Sequence, residues 1–144
     1  MYTIKHLCHI DSDQKSVYTT LTTINGLRNW WTHETEGDPA EGGELIFKFG
    51  RRFKNVMKVI KAEPNKLVEW KVIDSVPDWM NSIIRFELDR NEGKTRLKLI
   101  QSGFPEQDDF YAQCSFSWAR YMMSIRDLVE TGSGNPYDED LPTD

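Results

Sequence analysis

Across residues 108–131, Phe110, Tyr111, Cys114, Trp118, Met122, Ile125, Leu128 and Val129 recur at spacings of one, three or four. That recurrence places them on one broad face of an α-helix. Such a helix is about 35 Å long at 1.5 Å per residue, enough to cross a small domain. An apolar face of that extent must be covered. The chain before it supplies six strand-like runs, which predicts a curved antiparallel sheet closed on one long C-terminal helix. The functional question is then whether sheet and helix fill the space between them or leave a cavity.

Read in order, the chain begins with a strand in which Ile4, His6, Cys8 and Ile10 alternate with Lys5, Leu7 and His9. Asp11, Ser12 and Asp13 offer caps for a short helix through Val17, Tyr18 and Leu21. Thr22 or Thr23 caps a second helix. Asn25-Gly26 would suit a hairpin turn, but the spacing of Ile24, Leu27 and Trp31 is helical. Adjacent helical residues diverge by about 100°, so Trp30 and Trp31 are expected to part, one into the core and the other towards the surface or a cavity mouth.

Residues 33–43 are polar and glycine-rich and read as a loop. A second strand carries Leu45, Phe47 and Phe49, and Gly50-Arg51 makes the turn. Residues 53–62 form a third strand whose two competing apolar phases call for a bulge. Residues 63–66 turn on Pro64 and Asn65. A fourth strand spans 67–73, a loop 74–78 and a fifth strand 80–89. Residues 91–93 turn on Gly93. The sixth strand carries Thr95, Leu97, Leu99 and Gln101 and breaks at Gly103-Phe104-Pro105. Gly132 and Gly134 end the long helix. The reading is one domain over residues 1–132, followed by an acidic flexible tail over 133–144. Short turns between consecutive strands make the sheet antiparallel, with the first strand on the edge of the meander. The class is α+β, with helices on one side of the sheet.

At 144 residues the chain can bury a core without disulfide staples. With only Cys8 and Cys114, a cytoplasmic, reduced protein is the expectation. A net charge of −5, with basic residues scattered among acidic ones, argues against a nucleic-acid partner. No apolar run is long enough for a membrane span.

The order of features resembles the helix-grip fold of the START-like, or SRPBCC, superfamily, shared by lipid-transfer domains, pollen allergens and polyketide cyclases. Within it the chain is similar to the activator of heat-shock protein 90 ATPase homologue family (C-terminal domain). The residues that carry the likeness are Ile10 and Ser12 before Val17-Tyr18, Thr22-Thr23 before Gly26-Leu27, and Trp30-Trp31-Thr32. They continue with Gly42-Gly43, Phe47-Lys48-Phe49, Pro64 before Leu67-Val68 and Trp70, then Thr95, Leu97 and Leu99, and Trp118 within the last helix. The resemblance spans about residues 3–131. It implies a sheet of about six strands around the C-terminal helix, two short helices after the first strand, and a space that in relatives holds a lipid, sterol or polyketide.

The expected lining of that space is Trp30, Trp31, Phe47, Phe49, Met57, Trp70, Trp79, Phe86, Gln101, Tyr111, Trp118 and Met122. Rings would make most of the contact with a flat or elongated ligand. The competing reading is a core in which the same rings fill the space. Gln101, Ser82, Tyr111 and Tyr121 are the polar groups available to anchor a ligand, or to be satisfied within the fold. His6, Cys8 and His9 have no metal-ligand pattern, since residues three apart on a strand face opposite sides. No nucleophile elbow, phosphate loop, dinucleotide glycine pattern or zinc-helix motif is present, so neither catalytic residue nor cofactor is assigned.

Three functions follow. The preferred one is binding of a small hydrophobic or amphipathic ligand, lipid-like or aromatic. The resemblance adds a protein-interaction module with a chaperone partner. The third is a cyclase- or hydratase-type enzyme using His33, Glu69 or a tyrosine. The chain is expected to be a monomer or a weak dimer.

Overall fold

The computed structural model describes residues 1–138. Seven strands form one antiparallel sheet: β1 (Tyr2–Ile10), β2 (Glu34–Gly37), β3 (Glu44–Phe49), β4 (Phe53–Glu63), β5 (Leu67–Asp74), β6 (Ile83–Asn91) and β7 (Lys94–Phe104). Their spatial order is β1-β7-β6-β5-β4-β3-β2. Two short helices, α1 (Gln14–Thr22) and α2 (Ile24–Trp30), follow β1, and α3 (Asp109–Thr131) follows β7. This is the helix-grip α+β fold. β1 sits on the edge and pairs with β7, Ile4 opposite Gln101 and Ile10 opposite Thr95.

Local chemistry fixes the helix ends. Asp13, Thr23 and Asp108 cap α1, α2 and α3, each side chain accepting from a free backbone N–H of the first turn. Gly132 closes α3 at φ 87°, donating its N–H to Leu128. The bulge expected in the third strand is a pair of register shifts in β4, at Val56/Met57 and Val59/Lys61. Asn55, Met57 and Val59 keep the period of two and face inward.

The sheet has one strand more than the sequence predicts. β2 lies within the expected loop and pairs with β3, Thr35 opposite Phe47. It carries no apolar alternation, because its one buried side chain, Thr35, is satisfied by donating to the Thr32 carbonyl at 2.7 Å. Two boundaries also move. β6 begins at Ile83, because residues Pro77–Trp79 form a short 3-10 turn and Asn81 adopts φ 65°. β7 runs on to Phe104, because Gly103 at φ 106° absorbs the irregularity within the strand.

Trp30 and Trp31 do not splay apart, although of the two only Trp31 also borders an open cavity. Their rings stack at 5.4 Å with planes 6° apart, and both are buried, at 0% and 2% exposure. The 100° rule applies to a regular helix, and Trp31 is already the C-cap of α2, at φ −111° and ψ −66°.

The expected tail starts at residue 133. Gly134, Asn135 and Tyr137 run back beside α3. Asn135 donates its N–H to Ser124 Oγ at 2.7 Å, and that hydroxyl donates to the Trp30 carbonyl at 2.9 Å. Tyr137 donates its N–H to the Trp31 carbonyl at 2.7 Å. Residues 139–144 lie outside the described residues.

At the junction of α1 and α2 two backbones approach closely. A Cβ at Gly26 would lie 2.3 Å from the Thr20 carbonyl oxygen and 2.7 Å from its Cα. Gly26→Ala is therefore expected to lower stability by about 1–3 kcal/mol, read as a fall in urea midpoint at unchanged slope; an unchanged midpoint would show that α1 can shift freely.

Candidate functional site

The space beneath the middle of α3 is filled. Trp30, Phe47, Met57, Trp70 and Phe86 are at most 1% exposed. Trp31 stands at their centre, with Phe47 at 4.5 Å, Trp118 at 5.2 Å, Phe49 at 5.4 Å and Trp70 at 6.2 Å. Such offset and edge-on ring contacts each add to what area burial alone contributes.

One polar chain is buried within this cluster. Trp118 Nε1–H donates to Gln101 Oε1 at 2.7 Å, and Gln101 Nε2 donates to Ser82 Oγ at 3.1 Å. Ser82 in turn donates to the Trp79 carbonyl at 2.7 Å. The chain fixes the Trp118 rotamer and ties α3 to β7 and to the loop before β6. Gln101 and Ser82, weighed from the sequence as ligand anchors, are thus engaged inside the protein.

Beside this core, along one flank of α3, a cavity of about 800 Å³ opens to solvent. Trp31, Trp79 and Trp118 line it, with Trp79 stacked on Trp118 at 6.3 Å and 5°. Phe110, Cys114, Ser117 and Tyr121 line it from α3, and Phe49, Phe53 and Asn55 from the β3–β4 hairpin. Val76, Pro136 and Tyr137 also line it. Tyr137 packs edge-on against Phe49 at 5.5 Å. His33, Arg52, Gln113, Arg120, Met123, Asp127 and Asp138 contribute further lining, so the walls join aromatic surface to charges of both signs.

Desolvation sets the acid–base character of the lining. Burial pushes the Cys114 thiol up to about 11, against the opposing hydrogen bond from Trp79 Nε1, 3.4 Å from its sulfur. Burial also raises the Tyr121 hydroxyl, with Arg120 pulling the other way. At neutral pH both groups are neutral. Asn55 is buried and accepts a hydrogen bond from Ser75. Among the described residues, no three His, Cys, Asp or Glu side chains are placed to hold a metal ion.

Of the twelve residues expected to line a cavity, Trp31, Phe49, Trp79 and Trp118 meet at this one. Trp30, Phe47, Met57, Trp70, Phe86 and Met122 lie in the closed core, and Gln101 in the polar chain. Tyr111 is on another flank of α3, donating its hydroxyl to the Thr3 carbonyl at 2.8 Å and packing edge-on to Phe104. Phe53, Val76, Phe110, Ser117 and Tyr137 line the cavity without having been singled out. A signal for part of this set exists in the sequence. Phe110, Cys114, Ser117, Tyr121 and Ser124 recur at spacings of four, three, four and three, a stripe rotated from that of Trp118, Met122 and Ile125.

The sequence pattern of the family described as activator of Hsp90 ATPase homolog 1-like protein matches residues 11–130. The chain belongs to this family. Among solved structures, the solution structure of the Aha1 dimer from Colwellia psychrerythraea is 34% identical, with a TM-score of 0.86 over 93% of this chain and 100% of that one. Protein MLL2253 from Mesorhizobium loti is 21% identical, with a TM-score of 0.79 over 90% and 97%. CalU16 from Micromonospora echinospora is 17% identical, with a TM-score of 0.76 over 92% and 76%. At their identities, the last two share the fold. No curated protein matches the chain.

The Cys114 thiol gives this wall of the cavity a measurable signature. Native Cys114 is expected to react with iodoacetamide at pH 8 about 100-fold more slowly than in urea, as its thiolate fraction falls with the raised pKa. Peptide mass spectrometry reads both rates, and equal rates would place the thiol in water. The sign for stability follows from the same shift. The fold keeps Cys114 protonated where the unfolded chain ionises, so its contribution is complete below 9.0 and is lost as pH rises towards about 11.

Proposed function

We propose that the cavity along α3 binds a small amphipathic or aromatic molecule. The observation that carries this reading is an open volume of about 800 Å³ lined by Trp31, Trp79 and Trp118 on a rigid ring core. That volume is in the range of small-molecule sites, about 300–1,000 Å³. Binding would draw on ring and aliphatic surface removed from water, worth roughly 25 cal/mol per Å². Tyr121, Asn55 and the charged side chains would orient the polar end. Because the centre of the core is filled, the ligand lies at the flank of α3, in contact with the hairpin and the post-helix segment.

The test uses anilinonaphthalene sulfonate, a planar apolar anion, as probe. The wild type is expected to take up one molecule saturably, with quenching of tryptophan fluorescence. Ser117→Trp, which fills the cavity from α3, is expected to weaken uptake about tenfold or more, a change of at least about 1.4 kcal/mol, while the thermal transition stays in place. Absence of saturable uptake by the wild type would sink the reading.

The family match over residues 11–130 favours a second reading, a protein-interaction module acting on a chaperone ATPase. Its measurement is the ATPase rate of heat-shock protein 90 from the same cell with and without this protein. A rate unmoved by a saturating excess counts against it. The Colwellia relative, described as a dimer, supports a third element of the proposal: this chain also self-associates, as a weak homodimer.

A further inference from the structure

The face of α3 turned away from the core carries its own pattern. Ala112, Phe116, Ala119 and Met123 recur at spacings of four, three and four. At about 100° per residue, they fall within a stripe about 60° wide. Phe116 is 55% exposed and Met123 51% exposed, on a helix whose opposite face already fills the core. Large apolar side chains at that spacing, alternating with alanines, have the form of a helix–helix seam rather than of a solvated surface.

The seam is complementary to itself in one orientation. A two-fold axis crossing α3 between Ser117 and Trp118 sets Phe116 of one copy over Ala119 of the other, and Met123 over Ala112. Every large side chain then meets a small one, four times in the symmetric pair. A parallel pairing would instead set Phe116 on Phe116 and Ala119 on Ala119, leaving a clash beside a gap. The alanines also let the two helices approach at the close end of the usual 8–10 Å range.

We propose that α3 is the homodimer interface, two copies pairing antiparallel through Ala112, Phe116, Ala119 and Met123. The inference rests on the self-association reading above and names its surface. The pairing is isologous and closes at two copies, so it does not propagate into filaments. Met123 belongs to both the seam and the cavity lining. A second copy therefore lies against the cavity's edge, and association and ligand uptake share a side chain.

Sedimentation equilibrium over a wide concentration range tests this on the wild type, Phe116→Glu and Ala119→Arg, each checked for an unchanged far-ultraviolet spectrum. The wild type is expected to dimerise, and each variant to raise the dimer dissociation constant at least about tenfold. Both substitutions sit on the outer helix face, and two variants guard against a folding defect in either. A wild type that stays monomeric throughout overturns the self-association reading itself. A wild type that dimerises with both variants equally dimeric leaves that reading standing and overturns α3 as the interface, pointing to pairing of β1 or β2 edges.

Discussion

The domain closes around the indole of Trp31. It stacks on Trp30, meets Phe47 and Phe49 from β3, Trp70 from β5, and Trp118 and Tyr121 from α3. Phe86 of β6 makes the same three joins with fewer rings, to Trp30, Trp70 and Trp118. The position of Trp31 depends on the chain leaving helical geometry at that residue. The same side chain then serves two surfaces. One side belongs to the filled core, and the other lines the open cavity.

This arrangement explains how a small protein can have both a dense core and an open cavity. A cavity under the centre of α3 would strip ring contacts from Trp30, Phe47, Trp70 and Phe86 at once. Placed at the flank, it interrupts the packing of few residues. The buried chain from Trp118 through Gln101 and Ser82 holds the wall in place without help from a ligand. Its polar groups are consumed internally, so polarity in the cavity comes from elsewhere: Tyr121, Asn55 and the charges.

Much of the fold was legible because period and punctuation agree. The stripe from Phe110 to Val129, the capping aspartates and the turn residues Asn65 and Gly93 each point to one local answer. β2 was hidden because an edge strand needs only backbone pairing, and Glu34–Gly37 has one inward side chain, a threonine. The site was harder to read. Its lining comes from a hairpin tip, a 3-10 turn, the second stripe of α3 and the segment after it. Sequence spacing reports which face of an element is apolar. It does not report which of two apolar faces meets a neighbour and which meets empty space. Tyr111 and Tyr121 illustrate the limit: both sit on α3, yet Tyr111 closes the β1 side while Tyr121 lines the cavity.

The hydroxyl of Ser124 has a consequence for how such a site diversifies. It joins Asn135 to Trp30, and Gly134 fits beside it because it has no Cβ, which would lie 2.5 Å from the Asn29 carbonyl oxygen. Part of the cavity lining is thus a short strip clipped on after the last helix, outside the meander that builds the sheet. Drift in Pro136 or Tyr137 can reshape this part of the chamber without a change in any strand or in α3. The shape of that part of the lining and the architecture of the sheet are in this way carried on separate stretches of the gene.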